Sequence, residues 1–110
     1  LAAVCGFTSA TGPGIALAVK EAGKKGKIKI TCVDYEPEHL KLIRENLIQF
    51  TVGQKRDLFG SYGAQILYDI VHHKNRFSSN DRAAGINPCP VHINTGLIEI
   101  DTSNIKYFPY

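Results

Sequence analysis

The sequence has no apolar run approaching the roughly 18 residues that a bilayer-spanning helix needs, and it opens on Leu1 without a basic segment leading into an apolar one. It therefore reads as a chain with no spanning helix, and either processing removed what preceded Leu1 or these residues are a fragment. Its three cysteines are an odd number, and none is paired in a CxxC spacing. Three free thiols are expected, a Cys5–Cys32 bridge between neighbouring strands being the one alternative. Strong charge of one sign is also missing. The net charge of +3 is too mild to argue for nucleic acid, and Lys20, Lys24, Lys25, Lys27 and Lys29 surround a helix end, where cations suit the dipole and solvent. A hydrophobic content of 44% with 21% charged residues excludes a disordered chain, and 110 residues suit one core.

What is present alternates between strand and helix. LAAVC (1–5) reads as a short buried strand ending at Gly6, and GFTSATGPG (6–14) as a loop rich in turn formers. Thr11 is placed to cap a helix with Pro13 in its first turn, Ile15, Ala18, Val19 and Ala22 on its buried face, and Gly23 at its end. KIKITCV (27–33) is a second strand. Glu36 and Pro37 open a second helix with Leu40, Ile43 and Leu47 inward, and IQFTV (48–52) is a third strand. A longer helix is expected from Asp57 to about His73, with Phe59, Tyr62, Ile66 and Ile70 facing inward and Gly63 allowing close packing. The stretch 74–90 is an irregular connection, HINTGLIEI (92–100) a strand, and DTSNIKYF (101–108) a capped turn and tail. The class is α/β: a parallel sheet with helices on both faces.

In such sheets ligands collect beyond the carboxyl ends of the strands, here residues 6–11, 34–36 and 54–56. That rim offers the hydroxyls of Thr8, Ser9 and Thr11, the Asp34 carboxylate, the Gln54 amide and the Arg56 guanidinium, with Phe7 and Tyr35 beside them. The set suits a polyhydroxylated ligand. A carboxylate accepts two hydroxyl protons, an amide donates and accepts, and an aromatic face covers the apolar side of a sugar ring. It is a poor catalytic set, with no histidine at the rim and no second carboxylate beside Asp34. The plain alternative for Asp34 is a helix N-terminal residue accepting backbone N–H bonds. His72 and His73, adjacent on a helix, point about 100° apart and cannot share a metal as i, i+4 ligands do. His39 reads as part of an exposed helical pattern and His92 as the start of a strand. No cofactor and no metal are expected.

Two resemblances bear on the rim. CGFTSATGPGIALA followed by VDYEPEHLKLIRENL resembles the glycine loop and ribose-binding acid of S-adenosylmethionine-dependent methyltransferases, and NPCP (87–90) is similar to their Asn-Pro-Pro motif. Here, however, no acid precedes the loop, five residues separate Gly6 from Gly12, and NPCP does not follow an apolar strand directly. More of the chain resembles a second family. GFTSATGPGIALAVKEAG, the stretch from KIKITCVDYEPEHLKLI to LYDIV and the closing INTGLIEIDTSNIKYF are similar, in order and spacing, to the carboxyl-terminal part of sugar-binding periplasmic proteins of the ribose-binding type. Lactose-repressor-like effector domains share that fold, but a regulator needs an upstream DNA-binding helix pair, and no such pair is read in these residues.

The resemblance implies a type I periplasmic-binding-protein-like lobe of three αβα layers. It implies ligand-binding roles for Asp34 and Gln54, with Thr8 where the family has its ligand Asn and Ser9 where an Asp follows, so that the sugar or its pose differs from ribose. Phe7, Tyr35 and Arg56 complete the candidate set. It also implies that residues 1–54 belong to the carboxyl-terminal lobe, that 55–90 belong to the other lobe, and that 91–110 return through the hinge. The chain would then be a fragment whose apolar faces, Ile66 and Ile70 among them, await the remainder of the protein or another chain. The expected function is reversible monosaccharide binding, without enzymatic chemistry, read by a membrane permease or sensor kinase. The expected setting is extracytoplasmic, in the periplasm or lipoprotein-like at a cell surface, or cytoplasmic for a regulator. No nucleic-acid partner is expected for this segment.

Overall fold

The structure is a computed structural model that describes residues 1–72 and 76–109. The chain divides into two compact units, Leu1–Gln54 with Leu97–Tyr110, and Lys55–Gly96. The first unit is built from β1 (Ala3–Cys5), α1 (Thr11–Glu21), β2 (Lys29–Val33), α2 (Pro37–Arg44), β3 (Phe50–Gln54) and β4 (Leu97–Asp101), closed by a 3-10 turn at Ile105–Tyr107. The second contains α3 (Arg56–His72) and the irregular residues 76–96.

The four strands lie in the order β1-β2-β3-β4. β1, β2 and β3 are parallel, while β4 runs antiparallel to β3 with Gln54 opposite Leu97. The chain thus leaves and re-enters the first unit at two residues that are neighbours across one strand pair.

The α/β class holds, with two differences of detail. The sheet is mixed rather than all parallel, because β4 returns beside β3. Within the first unit α1 and α2 pack against each other as well as the sheet, so they occupy one face rather than both. The reason is topological: strands added in sequential order by crossovers of one hand put every connecting helix on the same side. The core lies there, where Ile30 and Cys32 of β2, Thr51 of β3 and Ile100 of β4 meet Ala16 and Val19 of α1 and Leu40, Leu42 and Ile43 of α2. Each large aliphatic side chain so buried contributes about 1.5–3 kcal/mol. On the opposite face Thr31, Val33, Phe50 and Val52 are half-buried, and no third layer is supplied by the described residues of this unit.

Local expectations hold unevenly. Glu36 is the N-cap of α2, Pro37 its first residue, and Leu40, Ile43 and Leu47 are buried. Gly23, at φ 63°, follows the C-cap of α1. Thr11, by contrast, is the first residue of α1 rather than its cap; Ala10 takes the cap position with no side-chain bond. The buried face of α1 is Gly12, Ala16 and Val19, whereas Ala18 and Ala22 are exposed. β1 is an edge strand with Ala3 and Cys5 exposed rather than a buried one. The last strand begins at Leu97, not at residue 92. In α3 no described residue is buried, and Phe59, Tyr62 and Ile70 are about half exposed. His73 and Lys74, where that helix was expected to end and the connection to begin, lie outside the described residues.

The three cysteines are free. Strand register explains why Cys5 and Cys32 do not pair: Cys5 stands beside Thr31, so Cys32 is one residue further on and faces the other side of the sheet.

Tyr35 seals one end of this core. Its ring lies against Gly53, whose absent Cβ would collide with the ring carbons, and meets Phe108 edge to face at 6.4 Å. Gly53→Ala in the full-length protein is therefore expected to destabilise by about 1–3 kcal/mol through overpacking, measured by urea denaturation. In a Tyr35→Ala background the same substitution should cost clearly less.

Candidate functional site

The carboxyl rim of the parallel strands is assembled by backbone bonds that continue just past each strand end. The Gly6 amide donates to the Thr31 carbonyl (2.9 Å), and the Asp34 amide donates to the Val52 carbonyl (2.9 Å). Loop 6–10, the turn 34–36 and Gln54 are therefore set side by side along one edge of the sheet.

Asp34 has φ 75°, a left-handed conformation that costs a non-glycine residue free energy, although Asp and Asn tolerate it best. It is held there from β3. The Thr51 hydroxyl, fully buried, donates to the Asp34 carbonyl (2.6 Å) and lies 3.2 Å from that of Cys32, while the Cys32 thiol donates to the Thr51 oxygen (3.4 Å). Burial pushes the Cys32 thiol pKa up, against a lowering by that bond, so the thiol stays protonated and able to donate. The half-buried Asp34 side chain makes no hydrogen bond or ion pair among the described residues. It does not cap α2, whose N-cap is Glu36.

Loop 6–10 is closed by Thr11, whose hydroxyl accepts from the Thr8 amide (3.1 Å) and donates to the Thr8 carbonyl (2.7 Å). This leaves Phe7, Thr8 and Ser9 exposed, Phe7 at 79%. Gln54 is half-buried at the end of β3. Tyr35 is placed otherwise than a free stacking ring: it packs on Gly53 and Phe108, and its hydroxyl reaches the Gln54 carbonyl at 3.5 Å. Arg56 is the first residue of α3 and belongs to the second unit. The structure thus brings Phe7, Thr8, Ser9, Asp34 and Gln54 to one edge, and gives Tyr35 a packing task behind it.

His39 was expected on an exposed pattern and is instead 1% exposed. The spacing His39, Leu42, Ile43 carries the signal, since i, i+3 and i+4 share a helix face; a polar residue type concealed it. Burial lowers its pKa, opposed by the carboxylates of Asp34 and Glu36, the Ser9 backbone and Glu38. His72 stacks on Tyr68 with ring centres 4.4 Å apart. Among the described residues no three His, Cys, Asp or Glu side chains are grouped to hold a metal, and no helix is long and apolar enough to cross a membrane.

The model of the periplasmic binding protein domain family matches residues 1–75. The chain belongs to that family. Solved structures agree in fold. The sugar-binding protein of a sugar ABC transporter from Bacillus halodurans matches 99% of this chain with a TM-score of 0.82 at 23% identity. AraP, an arabinose-binding protein from Geobacillus stearothermophilus, matches 100% with 0.78 at 27%. An ABC transporter solute-binding protein from Agrobacterium vitis, bound with α-D-tagatopyranose, matches 96% with 0.73 at 28%. This periplasmic binding protein chain spans 37%, 36% and 31% of those three chains, respectively. Comparison with curated protein sequences finds no match.

Two stability experiments follow from this geometry. Thr51→Val should cost about 1–2 kcal/mol, because the half-buried Asp34 carbonyl loses its donor, and Thr51→Ser distinctly less, both by chemical denaturation. For His39, the lowered folded-state pKa means that the folded protein binds fewer protons than the unfolded chain. Its contribution is complete above the ordinary histidine pKa of about 6.5 and is lost as pH falls below it. His39→Phe should flatten the decline in stability between about pH 7 and 5, read from denaturation midpoints.

Proposed function

We propose that this periplasmic binding protein chain forms one wall of a site that reversibly binds a monosaccharide in a cleft between two lobes, with no covalent chemistry. The observation that carries the reading is Asp34. Its backbone is held in a left-handed turn by Thr51, while its carboxylate has no hydrogen bond or ion pair among the described residues. An acid held in a left-handed turn with no bond inside the fold is placed to accept one from a ligand. Free sugar hydroxyls are the donors such an acid accepts, Gln54 supplies an amide that both donates and accepts, and Phe7 offers an exposed apolar ring.

The arabinose and tagatopyranose named for two of the matched proteins support this ligand class. Closure of the lobes around the sugar would shift a two-state equilibrium, with the closed form read by a membrane permease or a sensor kinase outside the cytoplasm. Asp34 and Gln54 contact the sugar directly, with Thr8, Ser9 and Phe7 adapting the site from the loop. The exposed apolar residues of α3 support completion of the fold by the remainder of a longer protein.

Thermal-shift titration of the full-length protein with arabinose, ribose, xylose, glucose, galactose, tagatose and S-adenosylmethionine tests the reading. At 100 times its dissociation constant the matching sugar should add about 2.7 kcal/mol, a rise of several degrees. Asp34→Ala should abolish the response, and Gln54→Ala weaken it about tenfold or more, the loss of one good hydrogen bond. A response to S-adenosylmethionine alone would favour a methyltransferase, and a sugar response unchanged in Asp34→Ala would remove Asp34 from the site.

A further inference from the structure

His39 lies where nothing yet answers its nitrogens. Its side chain is 1% exposed, and neither Nδ1 nor Nε2 has a hydrogen-bond partner among the described residues. Buried polar atoms in native proteins are almost always paired, so an imidazole with two unpaired nitrogens points to a bond completed by a small movement of its surroundings.

The ring sits where the candidate rim is joined to the core. A Cβ on Gly12, in the first turn of α1, would lie 3.0 Å from the ring carbon Cδ2 and 2.9 Å from the Cys32 sulfur. The beginning of α1 is thus seated directly on His39 and Cys32. The Ser9 backbone, in the loop that carries Phe7 and Thr8, is close enough to favour a proton on the ring yet outside hydrogen-bonding geometry. The Asp34 carboxylate lies within electrostatic reach, as do those of Glu36 and Glu38. Of these neighbours, only Ser9 belongs to loop 6–10, whose own cross-bonds run between Thr8 and Thr11. A donor from below would fix the height of that loop relative to Asp34, and a wall fixed in advance spares the ligand the entropy of ordering it.

We propose that His39 is a positioning residue for the sugar site, whose neutral ring donates one N–H to the Ser9 carbonyl and so ties loop 6–10 to the Asp34 turn. The consequence for sugar affinity rests on the monosaccharide reading; the tie itself does not.

The test uses the full-length protein and its His39→Phe, His39→Asn and His39→Gln variants. His39→Phe keeps a planar ring of similar size and removes both nitrogens, so it should melt no lower than the parent at pH 7.5. Amide hydrogen exchange across residues 6–11 should accelerate about fivefold or more in His39→Phe, with β2 and β3 unchanged. Affinity for the panel sugar giving the largest thermal shift should fall about tenfold or more. One of the two amide variants, whichever reaches Ser9, should restore most of both. Exchange and affinity within about twofold of the parent in His39→Phe would make the ring mere filling and overturn the proposal. If no sugar in the panel binds the parent, the monosaccharide reading fails, and exchange of residues 6–11 still decides the tie. Should His39→Phe not fold, ring nitrogen NMR of the parent decides: a protected N–H bonded to an acceptor supports the tie, and two unbonded nitrogens overturn it.

Discussion

A single buried hydroxyl organises this end of the molecule. Thr51, on the central part of the sheet, donates across to the carbonyl of Asp34 and receives the thiol of Cys32. By doing so it fixes the backbone just where β2 must turn into α2, in a left-handed conformation that costs a non-glycine residue free energy. Three things depend on that turn: the position of the Asp34 carboxylate, the entry of Tyr35 over Gly53, and the start of α2 with His39 on its inner face. The Thr51 hydroxyl and Cys32 thiol are buried and paired, so the arrangement is worth more than its bond count would suggest.

Around that point the first unit works as a two-layer device. One face of the sheet is dry and packed under α1 and α2, which makes the strand ends a rigid edge. The loops along that edge differ in kind. The β2–α2 turn is strained and pinned from below. Loop 6–10, exposed from Phe7 onward, carries hydroxyls and one aromatic ring and is tied mainly to Thr11. The edge therefore sets a backbone-pinned acid beside a loop that carries exposed hydroxyls.

The two points where the chain crosses between its compact units, at Gln54 and at Leu97, lie directly opposite each other in the β3–β4 pair. A change at one crossing strand is therefore mechanically shared with the other. Gln54, at the end of β3, is itself the residue at which the chain leaves the first unit.

Much of this could be read along the chain. Alternating strand and helix patterns, the Pro37 opening of α2 and the rim at residues 6–11, 34–36 and 54 follow from local periodicity and turn chemistry, because side-chain spacing and backbone preferences are properties of short segments. The burial of His39, the edge position of β1, the packing role of Tyr35 and the antiparallel return of β4 do not. Each depends on what lies beside a residue in space but far away in sequence: Gly12 and Cys32 against His39, Gly53 and Phe108 against Tyr35, β2 alone against β1, β3 against β4. The local pattern was enough to name Asp34 as the acid at the rim. That its backbone is left-handed, and held so by a threonine on the neighbouring strand, came only from the packing of one strand on another.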